Sequence, residues 1–128
     1  MADRGLLIDT SIVIAHLRAK ERENSLLTKL YSTREVFLSS ITLFELFAGA
    51  IDDEKVNDVK TLSQIFKILP FAEPEAEIAG KIFVELKSDN KLIDFPDILI
   101  AATSLANNCE LATLNKKHFS RIKGLTLI

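Results

Sequence analysis

Short strand-like segments alternate with helix-like segments along this chain. Residues 6–8, 36–39 and 111–113 have strand-like composition and are bounded by turn or cap residues, and residues 67–70 and 125–128 are weaker candidates. Strands that are separated by helices are joined by crossover connections, and such strands run parallel. The alternation therefore predicts an α/β fold in which helices cover the faces of a mostly parallel central sheet.

Three apolar stripes at helical spacing lie between these strands. They comprise Leu26, Leu27, Leu30 and Tyr31; Val56, Val59, Leu62 and Phe66; and Ile78, Ile82 and Leu86, with Ala79 and Phe83 beside the third stripe. The first two stripes carry more apolar surface than we expect one small core to bury. We therefore expect one of them to form an interface with another protein chain.

The composition suits one cytoplasmic domain. The 128 residues are 48% hydrophobic, which is enough to form a core in a single domain over residues 1–128. The net charge of -2 and the isoelectric point near 5.7 provide no global basic field, so bulk charge neither supports nor excludes a nucleic-acid partner. No stretch approaches the roughly 18 to 20 apolar residues of a membrane span, and the first apolar run ends at Asp9, too early for a signal peptide.

The chain has one cysteine, Cys109, which excludes an intrachain disulfide and a Cys-rich zinc site. We expect this thiol to pack as a small apolar side chain. His16 and His118 have no cysteine or second histidine nearby at ligand spacing, which also argues against zinc.

Four acid or amide side chains stand among apolar residues at widely separated positions. Asp9 closes the first apolar run, and Glu45 lies inside an apolar helical segment. Asp97 precedes the apolar run 98–102, and Asn115 follows the last clear strand. Carboxylates against apolar surface cost free energy unless a cation or hydrogen bonds compensate them. The pattern therefore suggests that the fold gathers these side chains around a metal, at the carboxyl ends of the strands.

Each of these side chains also has an ordinary structural interpretation. Asp9 and Asn115 follow strands, where turn and cap residues are common. Glu45 stands three residues after Thr42, which is the spacing of a capping box, and Ser40 or Thr42 can cap that helix. The same helix is apolar nearly all round, which predicts that it is buried. The residues alone leave both kinds of role open.

Two acids flank Pro96 at a predicted helix start. Asp94 can cap this helix, and a proline is tolerated there because its missing N–H would have been unpaired anyway. Asp97 lies in the first turn, where the helix dipole favours an anion by roughly 0.3 to 1 kcal/mol. Capping and the dipole are thus alternatives to metal binding for this pair.

Polar neighbours can support the acids. Thr10 and Ser11 can hold the Asp9 carboxylate through hydroxyl hydrogen bonds or cap the following helix, residues 12–17, and Thr113 is a further supporting candidate. These hydroxyl groups would orient a ligand rather than bind the metal themselves.

Basic side chains near the motifs can contact phosphate. Lys116 and Lys117 follow Asn115 directly and precede His118, and Arg18 begins a short basic stretch after the first helix. Exposure to solvent without a partner is the simpler interpretation for both groups.

The four motifs have a familiar order and spacing. They are Leu-Ile-Asp-Thr-Ser at residues 7–11, Ser-Ile-Thr-Leu-Phe-Glu-Leu at 40–46, Asp-Ile-Leu-Ile-Ala-Ala at 97–102, and Thr-Leu-Asn followed by Phe119 at 113–119. In combination they resemble the motifs of PIN-domain nucleases. The short length and the ending at residues 119–125 are similar to those of VapC toxins from toxin-antitoxin pairs. The resemblance covers nearly the whole chain.

This resemblance implies a three-layer α/β/α fold and an endoribonuclease that depends on Mg2+ or Mn2+. Asp9, Glu45 and Asp97 match the three core acids of the family, and Asn115 matches a fourth position where Asp is common. Asn keeps an oxygen that can bind metal but removes one negative charge, so both one and two metals remain open. Asp94, one helical turn before Asp97, can make up the loss.

The resemblance also implies partners and products. A VapC-type toxin acts on RNA, usually forms a homodimer and is neutralised by a cognate antitoxin protein. A metal-activated water would leave 5'-phosphate and 3'-hydroxyl ends, in contrast to attack by an internal 2'-hydroxyl.

Other functions fit the residues less well. A haloacid-dehalogenase-like phosphotransfer domain needs a second Asp two residues after the first, and that position is Ser11. A receiver domain needs an Asp at the end of its third strand, and no strand-ending Asp occurs between residues 36 and 70. A PIN-like binding module with weakened catalysis is the remaining alternative, and Asn115 is its only support in the sequence.

Overall fold

The computed structural model describes residues 4–128, which form four strands and seven α-helices. The strands are β1 (Leu6–Ile8), β2 (Val36–Ser39), β3 (Lys67–Leu69) and β4 (Glu110–Ala112). The helices are α1 (Thr10–Arg18), α2 (Leu26–Thr33), α3 (Ser40–Gly49), α4 (Asp53–Ile65), α5 (Glu73–Ser88), α6 (Phe95–Ala106) and α7 (Lys116–Phe119), with a 3-10 turn at Arg22–Asn24 before α2.

The four strands form one sheet in the order β3-β2-β1-β4, and every pairing is parallel. In this register Leu6 lies opposite both Val36 and Glu110, so β1 is a central strand. β2 joins the third strand through the Phe37 and Lys67 pair. The predicted parallel α/β sheet is confirmed.

The two faces of β1 are buried in two different cores. Leu6 and Ile8 pack with residues of α1, α2 and α4, whereas Leu7 packs with residues of α5 and α6. All three side chains are fully buried, as expected for a parallel sheet that is covered on both faces. This arrangement confirms the three-layer α/β/α architecture. Cys109 is buried in the second core, as predicted.

Three strand boundaries differ from the sequence prediction. β4 spans Glu110–Ala112 and so begins one residue earlier than predicted, because the Glu110 N–H donates to the Gly5 carbonyl. β3 ends before Pro70, which has no N–H to donate to a neighbouring strand. Residues 125–128 form only an isolated bridge between Leu127 and Leu111 and no extended strand.

The helical stripes are buried to different degrees. In α4, Val59 and Leu62 are buried, so the second stripe belongs to the chain's own core. In α2, only Leu27 is buried, whereas Leu26 and Tyr31 are 46% and 51% exposed. The Tyr31 ring still meets the Phe66 ring edge-on at 5.2 Å. An interface with another chain therefore stays a prediction for α2 alone.

The prediction for α3 was wrong on two points. This helix is not buried all round, because Phe44 and Phe47 are exposed. Its cap is Ser39, whose Oγ accepts a hydrogen bond from the Thr42 N–H at 2.9 Å, so neither Ser40 nor Thr42 is the cap. The expected capping-box role of Glu45 is therefore absent.

None of the helices in residues 4–128 has the length and apolar content needed to cross a membrane.

Candidate active site

The predicted site residues lie where the strands end and the helices begin. Asp9 follows β1 and Asn115 follows β4, and these two strands are neighbours in the sheet. Asp94 and Asp97 lie at the start of α6, and Glu45 lies in α3 directly after β2. The carboxyl edge of the sheet thus collects the acids, as expected for a ligand site in a parallel α/β fold.

Three of these side chains occupy N-cap positions without acting as caps. Asp9, Asp94 and Asn115 precede α1, α6 and α7, yet none accepts a side-chain hydrogen bond from its helix. By contrast, Ser39 and Asp52 each accept a backbone N–H at 2.9 Å and cap their helices in the usual way. Capping therefore does not account for the residue types at positions 9, 94 and 115.

Hydroxyl groups from two segments hold the Asp9 carboxylate. Asp9 is buried, and its Oδ2 accepts hydrogen bonds from Ser11 Oγ at 2.7 Å and Thr113 Oγ1 at 2.8 Å. Ser11 Oγ in turn accepts the Leu114 N–H, and Thr113 Oγ1 accepts the Asn115 N–H. The predicted supporting contacts of Ser11 and Thr113 are present, and they tie Asp9 to the loop that carries Asn115.

Thr10 supports a different acid from the one predicted. Its hydroxyl donates to Glu45 Oε1 at 2.7 Å and lies 2.9 Å from Thr42 Oγ1, and it makes no hydrogen bond to the Asp9 carboxylate. Ser39 Oγ lies 3.2 Å from Thr42 Oγ1, so a chain of hydroxyl groups runs from Ser39 through Thr42 and Thr10 to Glu45. Thr10 supports an acid, as predicted, but that acid is Glu45 and not Asp9, because α1 directs this residue toward α3.

Asp97 experiences the negative charge of the other acids. Burial and then the charges of Asp9, Asp94 and Glu45 raise the pKa of the Asp97 carboxyl to about 6. His118 opposes this shift, and its Nδ1 lies 3.8 Å from Asp97 Oδ2. The negative charges of the three other predicted acids therefore all act on Asp97. Among the described residues no lysine or arginine contributes to lowering this pKa.

Asn115 and His118 interact directly. Asn115 Nδ2 lies 2.8 Å from His118 Nδ1, across one turn of α7. The sequence interpretation grouped His118 with phosphate-contacting residues and missed this contact. The spacing of three residues after Asn115 in a helical segment was the available signal.

The basic residues lie at different places relative to the acids. Arg18 lines a cleft of about 370 Å3 together with Glu45 and Lys55, so it lies at the same opening as one of the acids. Lys116 and Lys117 are exposed on α7, and neither has a side-chain hydrogen bond or ion pair within residues 4–128. A second arginine in the cleft, Arg22, follows Arg18 in the same basic stretch, and it pairs with Asp58 on α4 at 3.0 Å.

The donor atoms fit a hard divalent cation. Carboxylate and amide oxygens are the ligands that Mg2+ and Mn2+ prefer, and no cysteine is near them. Within residues 4–128, however, no three His, Cys, Asp or Glu side chains have the spacing of a finished metal site. The site thus fits a cation by charge and donor type.

Comparisons with known proteins agree with this fold. Residues 6–125 match the model of the PIN domain family. The chain is 34% identical to a ribonuclease VapC of Rickettsia bellii, over 97% of this chain and 95% of that protein. It is 35% identical to ribonuclease VapC1 of Rickettsia felis, again over 97% and 95%. A crystal structure of VapBC2 from Rickettsia felis bound to a promoter DNA fragment superposes with a TM-score of 0.85 at 25% identity, covering 97% of both chains.

The fold, the acidic edge and this match define a PIN-domain protein, and the chain belongs to the PIN domain family. Within that family, its full-length relatives include the VapC ribonucleases.

Proposed function

We propose that this chain is a metal-dependent endoribonuclease and the toxin of a VapBC-type toxin-antitoxin pair. The observation that carries the proposal is the convergence of negative charge on Asp97, which no nearby lysine or arginine of the described residues offsets. The ribonuclease names of the VapC relatives support the same conclusion. They favour a nuclease over a weakened binding module or a phosphotransfer domain.

In this proposal Asp9, Glu45 and Asp97 are the catalytic acids and hold Mg2+ or Mn2+. Asn115 and Asp94 are further candidate ligands, and one of them can complete the set. When bound, such a cation supplies positive charge for a phosphodiester and lowers the pKa of a water that attacks it. No paired histidines or Ser-His-Asp arrangement is needed.

The surrounding hydroxyl groups keep the acids in place. Ser11 and Thr113 bond one oxygen of Asp9, which leaves the Oδ1 atom without a hydrogen bond from residues 4–128. Thr10 restrains one oxygen of Glu45 in the same way. Each acid thus keeps one oxygen free for a ligand while the other is fixed by the protein.

The basic residues complete an RNA-binding surface in this account. Arg18 lies in the cleft beside Glu45 and can bind a phosphate of the strand that enters the site. Lys116 and Lys117, exposed on α7, follow Asn115 and can bind phosphates on the other side. Without a cation, the acids would repel RNA, so these side chains act together with the metal.

The partners follow from the relatives. The similar Rickettsia felis structure is named as a VapBC assembly bound to promoter DNA. We propose that this chain likewise binds a cognate antitoxin, forms a homodimer and works in the cytoplasm. We also propose that residues 1–128 are one PIN-like domain.

The proposed function is tested by RNA cleavage and by growth. The purified chain should cut RNA when Mg2+ or Mn2+ is present, stop when EDTA is added, and leave 5'-phosphate ends. Expression without the antitoxin should arrest growth, and co-expression of the protein encoded next to it should restore growth. Cleavage that persists in EDTA, or normal growth at high protein level, would contradict the proposal.

The variant Asn115→Asp tests whether residue 115 is a metal ligand. Asn115→Asp restores a negative charge where the family commonly has Asp, so we expect Mn2+ to bind more tightly, by about 10-fold. Calorimetric titration of both proteins measures this difference, and Asn57→Asp, the same change at an exposed residue of α4, serves as the control. Unchanged Mn2+ affinity in Asn115→Asp would place residue 115 outside the ligand set.

A further inference from the structure

His118 lies beside the acids on α7 and has no role in the mechanism described so far. Its side chain is 41% exposed, and its Nδ1 atom faces both Asn115 Nδ2 at 2.8 Å and Asp97 Oδ2 at 3.8 Å. Only the contact with Asn115 is within hydrogen-bond distance. The two residues are three positions apart and occupy the same side of one helical turn.

We propose that His118 is a positioning residue that fixes the orientation of the Asn115 amide, so that Asn115 Oδ1 is the atom offered to the divalent cation. This inference rests on the proposed function, because it concerns the same site. It assigns to His118 a role that acts through Asn115 and requires no contact with RNA.

The direction of the hydrogen bond carries the argument. An amide NH2 group only donates, so the Nδ1 atom of His118 is the acceptor. When Nδ1 accepts this hydrogen bond, the ring hydrogen lies on Nε2.

The rest of the Asn115 side chain is left available. Asn115 precedes α7 but its Oδ1 does not cap that helix, and no hydrogen bond within residues 4–128 uses this oxygen. Its backbone N–H donates to Thr113 Oγ1, which also donates to Asp9. The backbone of Asn115 is thus tied to one proposed ligand, while His118 determines which end of the amide is free.

Position 118 offers a matched pair of variants. His118→Phe keeps a ring of similar size but removes the acceptor, so the amide can rotate. His118→Asn places an amide oxygen near the position of Nδ1 and retains an acceptor. Lys123→Ala, at an exposed position after α7, controls for a general effect of substitution at a surface residue.

The experiment measures Mn2+ affinity by calorimetry for each folded variant, together with the tautomer of His118 by 15N NMR of the unmodified protein. We expect His118→Phe to weaken Mn2+ binding about 10-fold, as is typical when a group that orients a ligand is lost, and His118→Asn to stay within about 3-fold of the wild type. Asn115→Ala should weaken binding similarly, and adding His118→Phe to it should cause no further loss. The NMR spectrum should show the hydrogen on Nε2.

Three results would overturn the inference. The first is Mn2+ affinity in His118→Phe equal to that of the wild type, and the second is a hydrogen on Nδ1 in the NMR spectrum. A purely structural role for His118 would lower the melting temperature of His118→Phe while leaving the affinity of the folded protein unchanged, and so would produce the first result. The third is a wild-type chain that binds no Mn2+, which would also remove the metal site of the proposed function.

Discussion

Replacing Asp9 by Asn should lower the metal-dependent cleavage of RNA by at least about 100-fold, because the change removes about 3 kcal/mol or more of charge stabilisation at the site. The protein should stay folded, because Asn has nearly the same shape and keeps an oxygen that Ser11 and Thr113 can bond. Cleavage of a labelled RNA under single-turnover conditions measures the loss, and circular dichroism checks the fold.

The matched control for this variant is Asp89→Asn, which makes the same chemical change at an exposed residue after α5. Its cleavage rate should equal that of the wild type. Asp97→Asn should lose activity to the same extent as Asp9→Asn. A wild-type rate in either purified site variant would remove that residue from the catalytic set.

Asp97→Asn should also make the metal-free protein more stable at neutral pH. The folded-state pKa of Asp97 is about 6, above its ordinary value of 3.8, so the folded protein holds this proton more tightly than the unfolded chain. The resulting stabilisation is fully present below pH 3.8 and is lost as the pH rises through about 6. At pH 7.5 the wild type therefore carries an unfavourable charge that Asp97→Asn lacks.

Thermal unfolding between pH 4 and pH 8 in EDTA measures this effect. The melting temperature of the wild type should fall relative to that of Asp97→Asn as the pH rises, and at pH 7.5 the variant should melt a few degrees higher. Adding Mg2+ should reverse the order, because a cation bound by the acids stabilises the wild type. A difference between the two proteins that does not change with pH would show that burial and the neighbouring acids do not raise the pKa of Asp97.

The sequence predicted the layers well because the relevant signals are local. The run Leu6–Ile8 is buried on both faces, and the helical spacing of Val59 and Leu62 places both in the core. The predicted strand boundaries were less accurate where a hydrogen bond from a distant segment determines where the strand begins. Glu110 joins β4 because its N–H reaches the Gly5 carbonyl, a pairing that no local pattern contains.

The places of the predicted site residues in the fold were predictable from the sequence, but the hydrogen bonds among them were not. The position of Asp9 after a buried strand follows from the sequence, and so does that of Asp97 at a helix start. The hydrogen bond from Thr10 to Glu45 depends on how α1 packs against α3, and sequence spacing does not encode that packing. The exposure of Phe44 was missed for a related reason, because composition alone does not say which face of an apolar helix is covered.

We propose that Asp9, Glu45 and Asp97, which lie far apart in the sequence, hold a divalent cation together. Anomalous diffraction from crystals of the protein grown with Mn2+ tests this claim most directly. We predict a manganese peak bonded to the carboxylates of Asp9 and Asp97, with Glu45 and Asn115 nearby. Manganese found only elsewhere on the protein, or an absence of any peak beside Asp9 at saturating Mn2+, would contradict it.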